Sequence, residues 1–141
     1  MKKTRTLFVL SPYEHYAFED HTYPLLIHAT YLMERGYEAR IIDMAAMPVD
    51  VPELLKRIGS YDPHIVVVSC LSNRRFDAID VIMAVKKAYP GKVVVGDGFH
   101  FSYTAADALD KIPELDACVT GISEQVLEDL AYALESGSGC D

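Results

Sequence analysis

The sequence predicts an α/β domain in which five parallel strands lie between two layers of helices. Three observations carry this expectation. Short apolar runs alternate with segments whose apolar residues recur at helical spacing, five times along the chain. Strand-like runs such as Ile65-Val66-Val67-Val68 are apolar on both faces, which suits a sheet covered on both sides. The first, third, fourth and fifth runs also end in small polar residues or glycine, as strand-to-helix turns do.

Leu7 to Leu10 reads as the first strand. Pro24 suits the opening of a helix, because its φ is preset and its missing N–H has no partner in a first turn. Leu25, Ala29, Leu32 and Met33 are expected on the buried face of that helix, and Gly36 ends it. Ala39 to Ile42 is the second strand, and Pro52 to Ile58 a short helix with Asp50 near its cap. Ile65 to Ser69 is the third strand. Phe76 to Tyr89 follows as a helix carrying Ile79, Ile82, Met83 and Lys86 at helical spacing, closed by Pro90-Gly91. Val93 to Val95 is the fourth strand and Thr104 to Leu109 a helix. Ala117 to Val119 is the fifth strand, and Ser123 is expected to cap a last helix through Leu134, ended by Gly137. The architecture is three-layer and Rossmann-like, in the flavodoxin-like arrangement. The domain spans residues 1–136, and "GSGCD" (137–141) has the composition of a linker or tail.

A chain of 141 residues is one ordinary domain. At this size a chain buries roughly 70% of its unfolded surface, so the core needs no staples. With 13 basic and 21 acidic residues the net charge is −8, and no Lys/Arg cluster opposes it, so nucleic acid is excluded as a partner. Cys70, Cys118 and Cys140 are odd in number and widely spaced, which fits a reducing cytoplasm better than a disulfide framework. The apolar run after the basic "MKKTR" is too short for a secretory signal, and no run is long enough to span a bilayer.

In an open parallel sheet, ligands bind beyond the carboxyl ends of the strands, where strand order reverses. Four loops meet there: Ser11-Pro12-Tyr13, Ser69-Cys70-Leu71-Ser72, Gly96-Asp97-Gly98-Phe99 and Gly121-Ile122-Ser123. Glycines let a bulky ligand approach the backbone, and Ser123 with free amides at a helix start suits a phosphate. Turns also use Gly, Ser and Pro for their own reasons, so one such loop alone would mean little. A dinucleotide site needs glycines after the first strand, and "LSPYEHYAFED" has none. The same stretch lacks the hydroxyl density of a flavodoxin phosphate loop. Ser69 and Cys70 stand where a phospho-receiver carries its aspartate. With Tyr13, Tyr16 and Phe18, the first loop instead suits a large flat apolar ligand.

From Thr6 to Leu134 the chain resembles the cobalamin-binding domain of cobalamin-dependent radical S-adenosylmethionine enzymes, which include methyltransferases and the anaerobic magnesium-protoporphyrin monomethyl ester cyclase. Pro24-Leu25, Arg35-Gly36-Tyr37-Glu38 and Ser69-Cys70-Leu71 fit the family pattern. Two loops depart from it. The fourth reads Gly96-Asp97-Gly98-Phe99-His100 in place of Gly-Gly-Pro-His, and the fifth reads Gly121-Ile122-Ser123-Glu124 in place of Gly-Glu-Gly-Glu.

The resemblance implies that cobalamin is the cofactor. Its binding set would be Ser11, Pro12, Tyr13, Ser69, Leu71, Ser72, Gly96, Gly98, Phe99, Gly121 and Ser123. Ser69 and Leu71 would line the slot for the nucleotide tail. Gly96 and Gly98 would let the tail pass, Gly121 and Ser123 would hold its phosphate or amide end, and Tyr13 would face the corrin. Asp97 would put a charge beside a phosphodiester, which is unfavourable unless it points outward. The cobalt-ligating Asp-x-His-x-x-Gly of the methionine synthase type is absent. His15 and His21 are the nearest axial candidates, with a solvated loop histidine as the default for both. His28 is expected to be partly exposed, and Cys70 and Cys118 to be core or site-edge residues. No Cys-x-x-x-Cys-x-x-Cys triplet is present, so S-adenosylmethionine and a [4Fe-4S] cluster would belong to a downstream radical barrel, on the same polypeptide or a partner chain. The competing readings are a stand-alone flavodoxin-like regulatory domain and a domain that uses the same strand ends for a flavin or nucleotide.

Overall fold

The computed structural model describes residues 3–12, 22–47 and 49–137. Its elements alternate throughout: β1 (Arg5–Leu10), α1 (Thr22–Glu34), β2 (Glu38–Asp43), α2 (Val51–Tyr61), β3 (Ile65–Ser69), α3 (Arg75–Ala88), β4 (Val93–Asp97), α4 (Phe99–Lys111), β5 (Ala117–Cys118) and α5 (Ser123–Ser136). A short 3-10 turn, Ser72–Arg74, joins β3 to α3. The sheet order is β2-β1-β3-β4-β5 with every neighbouring pair parallel, as the apolar-on-both-faces strands require. Strand addition reverses direction between β1 and β3, which places the topological switch point there. The register sets Leu10 beside Ser69 and Ser69 beside Asp97, so three strand ends form one row.

Helices cover both faces. On one side α1 and α5 seal a core of Phe8, Leu10, Val67 and Val95 with Leu25, Leu32 and Leu127. On the other, α2, α3 and α4 pack Leu54, Ile58, Ile82 and Phe101 against Val66, Val68 and Val94. Complete burial of a leucine contributes roughly 1.5–3 kcal/mol, so Leu25 and Leu32 hold α1 to the sheet. Among the described residues no helix is long and apolar enough to cross a membrane.

The element ends follow local chemistry. Asp50 accepts from the Glu53 N–H at 2.9 Å and so caps α2, and Asp62 closes that helix in the left-handed region at φ 51°. α4 starts five residues before the expected Thr104, immediately after Gly98. Thr104 is instead a kink (φ −118°, ψ 15°), where its Oγ1 donates back to the His100 carbonyl at 2.7 Å. The buried stripes are also displaced. Met33 is 57% exposed because α1 turns Leu25, His28, Ala29 and Leu32 inward, and α3 buries Ala78, Val81, Ile82 and Val85 while Met83 faces out.

Candidate functional site

The row of strand ends opens into a cleft of about 540 Å³ at the carboxyl edge of the sheet, within the range of small-molecule sites. Ser69, Leu71, Gly98, Phe99, Gly121 and Ser123 from the expected set line it together. Others take different places. Ser11 is fully buried, with its N–H donating to the Ser69 carbonyl at 3.4 Å and no hydrogen-bond partner for its hydroxyl among the described residues. Pro12 lies beside it, half-buried. Ser72 is exposed, and its Oγ is 3.1 Å from His100 Nδ1. Gly96 does not line the cleft, because the space a Cβ would need is occupied by the Phe101 ring at 2.8 Å. Tyr13, His15 and His21 lie outside the described residues.

Gly98 is where the backbone demands glycine. Its φ is +90°, and a Cβ would meet the Cys70 carbonyl oxygen at 2.6 Å and Ser69 Oγ at 2.9 Å. The third and fourth loops therefore touch, fastened by Cys70 N–H donating to the Asp97 carbonyl at 3.2 Å and His100 N–H to the Cys70 carbonyl at 3.4 Å. Gly121 also has positive φ (+81°), but a Cβ there would meet open space. Its N–H donates to Ser102 Oγ at 3.2 Å, which ties the fifth loop to α4.

The two departures from the family pattern meet inside the cleft. Asp97 is 3% exposed and points inward, not outward as a charge beside a phosphodiester would be expected to. Ser123 Oγ donates to its Oδ1 at 2.7 Å, and His28 Nε2 stands 3.6 Å from its Oδ2. A buried carboxylate is tolerated when it is hydrogen-bonded and faced by a potential cation, and Asp97 has both. Ser123 does not take the helix-cap position expected of it. Its hydroxyl is committed to Asp97, the N-cap position of α5 belongs to Ile122, and no side chain caps that helix.

Three further residues were not expected here. His28 is 8% exposed rather than partly exposed, and its Nδ1 lies 3.2 Å from Glu124 Oε1 without hydrogen-bond alignment. Its place on the stripe of Leu25, Ala29 and Leu32 was the sequence signal for burial. Arg74, from the turn after β3, brings a buried guanidinium to the cleft wall, and nothing in its spacing announced that. Tyr103 stacks on Phe99 at 6.5 Å between ring centroids with 13° between planes. These rings are 84% and 67% exposed, and Ile122 is 77% exposed, so an apolar rim surrounds the cleft mouth.

Burial pushes the Cys70 thiol up to about 12, the nearby Asp97 charge adding to the rise and Arg74 opposing it. Among the described residues no group of three His, Cys, Asp or Glu side chains could hold a metal ion. The cleft fits the tail of a corrinoid. Its glycine-cradled floor holds no side chain at Gly98, its polar groups are hydroxyls, one guanidinium, one imidazole and the carboxylates of Asp97 and Glu124, and its rim is apolar.

Known proteins agree with this geometry. The chain is 27% identical over 112 residues to an uncharacterized methyltransferase of Pyrococcus horikoshii, covering 79% of this chain and 24% of that protein. It is 30% identical over 111 residues to the anaerobic magnesium-protoporphyrin IX monomethyl ester cyclase of Rubrivivax gelatinosus, covering 77% and 20%. It thus spans about a quarter or less of these relatives. Its fold matches TsrM of Kitasatospora setae, a radical S-adenosylmethionine methyltransferase solved with cobalamin and a [4Fe-4S] cluster bound, with TM-score 0.85 and 20% identity over 99% of this chain and 28% of that one. It also matches a cobalamin-binding protein of Desulfitobacterium hafniense, with TM-score 0.65 and 14% identity over 98% and 60%. The model of the B12 binding domain matches residues 14–131, and this chain belongs to that family: it is a cobalamin-binding module.

Proposed function

We propose that the cleft at the carboxyl edge takes the nucleotide tail of cobalamin, and that the chain serves as the corrinoid-holding module of a radical S-adenosylmethionine methyltransferase or cyclase. The observation that carries this reading is the juxtaposition of a glycine-floored polar cleft with an exposed apolar rim of Phe99, Tyr103 and Ile122. A buried slot accepts the tail, and the flat corrin above it covers apolar surface that would otherwise face water. Ser69, Leu71, Gly98, Gly121 and Ser123 contact the tail, and the uncapped amides at the start of α5 favour its anionic end. Bound cobalamin supplies methyl transfer or tunes a radical step. This chain's residues bind, orient and shield. S-adenosylmethionine and an iron–sulfur cluster belong to a separate radical barrel, as the much greater length of the relatives supports. A cytoplasmic setting is part of the proposal, supported by the free thiols of Cys70 and Cys118.

The test places bulk where the structure has room for it. Gly121→Leu adds a side chain into the open space at the fifth loop. Hydroxocobalamin retained through desalting by the parent chain and lost by a folded Gly121→Leu variant supports the assignment. Equal retention by both chains refutes it.

A further inference from the structure

His28 sits on the inward face of α1 between two carboxylates. Nε2 is 3.6 Å from Asp97 Oδ2 at the end of β4, and Nδ1 is 3.2 Å from Glu124 Oε1 in the first turn of α5. From β1 the Phe8 ring packs against the imidazole, 6.2 Å between centroids. The same cleft is lined by the Arg74 guanidinium after β3, by the buried Cys70 thiol and by the Tyr103 phenol of α4. A neutral imidazole carries N–H on one nitrogen and a lone pair on the other. With a carboxylate near each nitrogen, either tautomer sets its lone pair towards an anion. Only the imidazolium would carry a proton on both nitrogens, and neither contact is a hydrogen bond in this structure, since Nε2 stands 3.6 Å from Asp97 and Nδ1 is not aligned with Glu124.

The charge balance leads to the same place. The tail of cobalamin carries an anionic phosphodiester. Among the described residues lining the cleft Asp97 and Glu124 outnumber Arg74, so with a neutral His28 they would meet that anion with excess negative charge in a poorly hydrated setting. A proton on His28 cancels the excess.

We propose that the chain takes up a proton at His28 when it binds the anionic tail of cobalamin, which makes His28, held by Asp97 and Glu124, a positioning residue that ties corrinoid affinity to pH. This rests on the reading of the cleft as the tail site. The proton comes from solvent and returns to it on release, and no bond in the cofactor changes.

The experiment is calorimetric titration of the chain with cyanocobalamin, whose axial cyanide leaves no titrating water on cobalt. It is run at about pH 6, 7 and 8, at fixed ionic strength, in two buffers of different protonation enthalpy. Kd is expected to rise severalfold between about pH 6 and pH 8, by at most about tenfold per pH unit for one proton, and the heat is expected to depend on the buffer, which reports proton uptake. Glu124→Gln, which removes one of the two carboxylates from a half-exposed helix start, should bind more tightly than the parent at about pH 8 and show a shallower pH slope. His28→Asn should lose the slope. If that variant does not fold, the parent buffer series and Glu124→Gln still decide. A parent Kd independent of pH with buffer-independent heat overturns the proposal while leaving cobalamin binding intact. No binding at any pH overturns both.

Discussion

Ser123 Oγ donates a 2.7 Å hydrogen bond to Asp97 Oδ1 across 26 residues of sequence, with both side chains buried. The bond joins the end of β4 to the start of α5 and closes one wall of the cleft. Ser123→Ala leaves the Asp97 carboxylate short of a partner and should cost about 1–3 kcal/mol, read from denaturant unfolding. Asp97→Asn keeps an acceptor for Ser123 and should cost less than Asp97→Ala. A double-mutant cycle between Ser123→Ala and Asp97→Ala should give a coupling energy of about 0.5–3 kcal/mol, and independent effects would mean the bond does not form.

Gly98 and Gly121 separate two costs of adding a methyl group. Both have positive φ, but only at Gly98 would the Cβ strike backbone, 2.6 Å from the Cys70 oxygen. Gly121→Ala should cost about 1 kcal/mol, from conformation alone. Gly98→Ala should cost more, about 2 kcal/mol or above, because the third and fourth loops must separate. Thermal unfolding of the two variants ranks them, and equal shifts would remove the close approach from the account.

The strand pattern was readable because a parallel sheet covered on both faces leaves continuous apolar runs, and Ile65 to Ser69 is buried throughout. The convergence of the third, fourth and fifth loops on one cleft followed from that topology. What lay hidden were contacts between side chains distant in sequence. Asp97 looked misplaced until Ser123 and His28 stood beside it. The early start of α4 was concealed by five residues, Phe99 to Tyr103, whose helical spacing is masked by their aromatic and polar mixture and by the kink at Thr104. Arg74 reaches the cleft from a 3-10 turn, an element with no periodicity to read.

Thiol chemistry tests the cleft wall independently. Burial raises Cys70 to about 12 and Cys118 to about 11. Almost no thiolate exists at either position near pH 8, so in the folded chain both should resist iodoacetamide. Peptide mapping after alkylation should find Cys70 and Cys118 unmodified in native conditions and modified in guanidinium. Rapid native labelling of Cys70 would show that the wall is open.

Acid sensitivity should arise partly at the opposite edge of the sheet. The Asp62 carboxyl is held below its usual range, chiefly by the hydrogen bond from Lys92, with the charge of Lys92 and that of Arg5 helping. Glu53 is lowered by its hydrogen bond from Arg57. A carboxyl with a depressed folded-state pKa contributes stability above its unfolded value, about 4, and that contribution fades as pH falls through the folded value. The contribution of these two carboxyls to the melting temperature should therefore be constant above about pH 5 and fade below about pH 4. Asp62→Asn, which tolerates the left-handed backbone, should shallow that fall. An unchanged acid slope in this variant would contradict the assignment to Asp62.

Whether the chain holds a corrinoid is decided most directly by absorbance. The purified chain is mixed with excess hydroxocobalamin, passed through a desalting column and scanned from the near ultraviolet to the visible, with a flavin carried through the same steps. Corrin bands co-eluting with protein at close to one per chain, and no flavin absorbance, are the predicted outcome. Colourless protein after cobalamin treatment, or protein carrying flavin in its place, would contradict it.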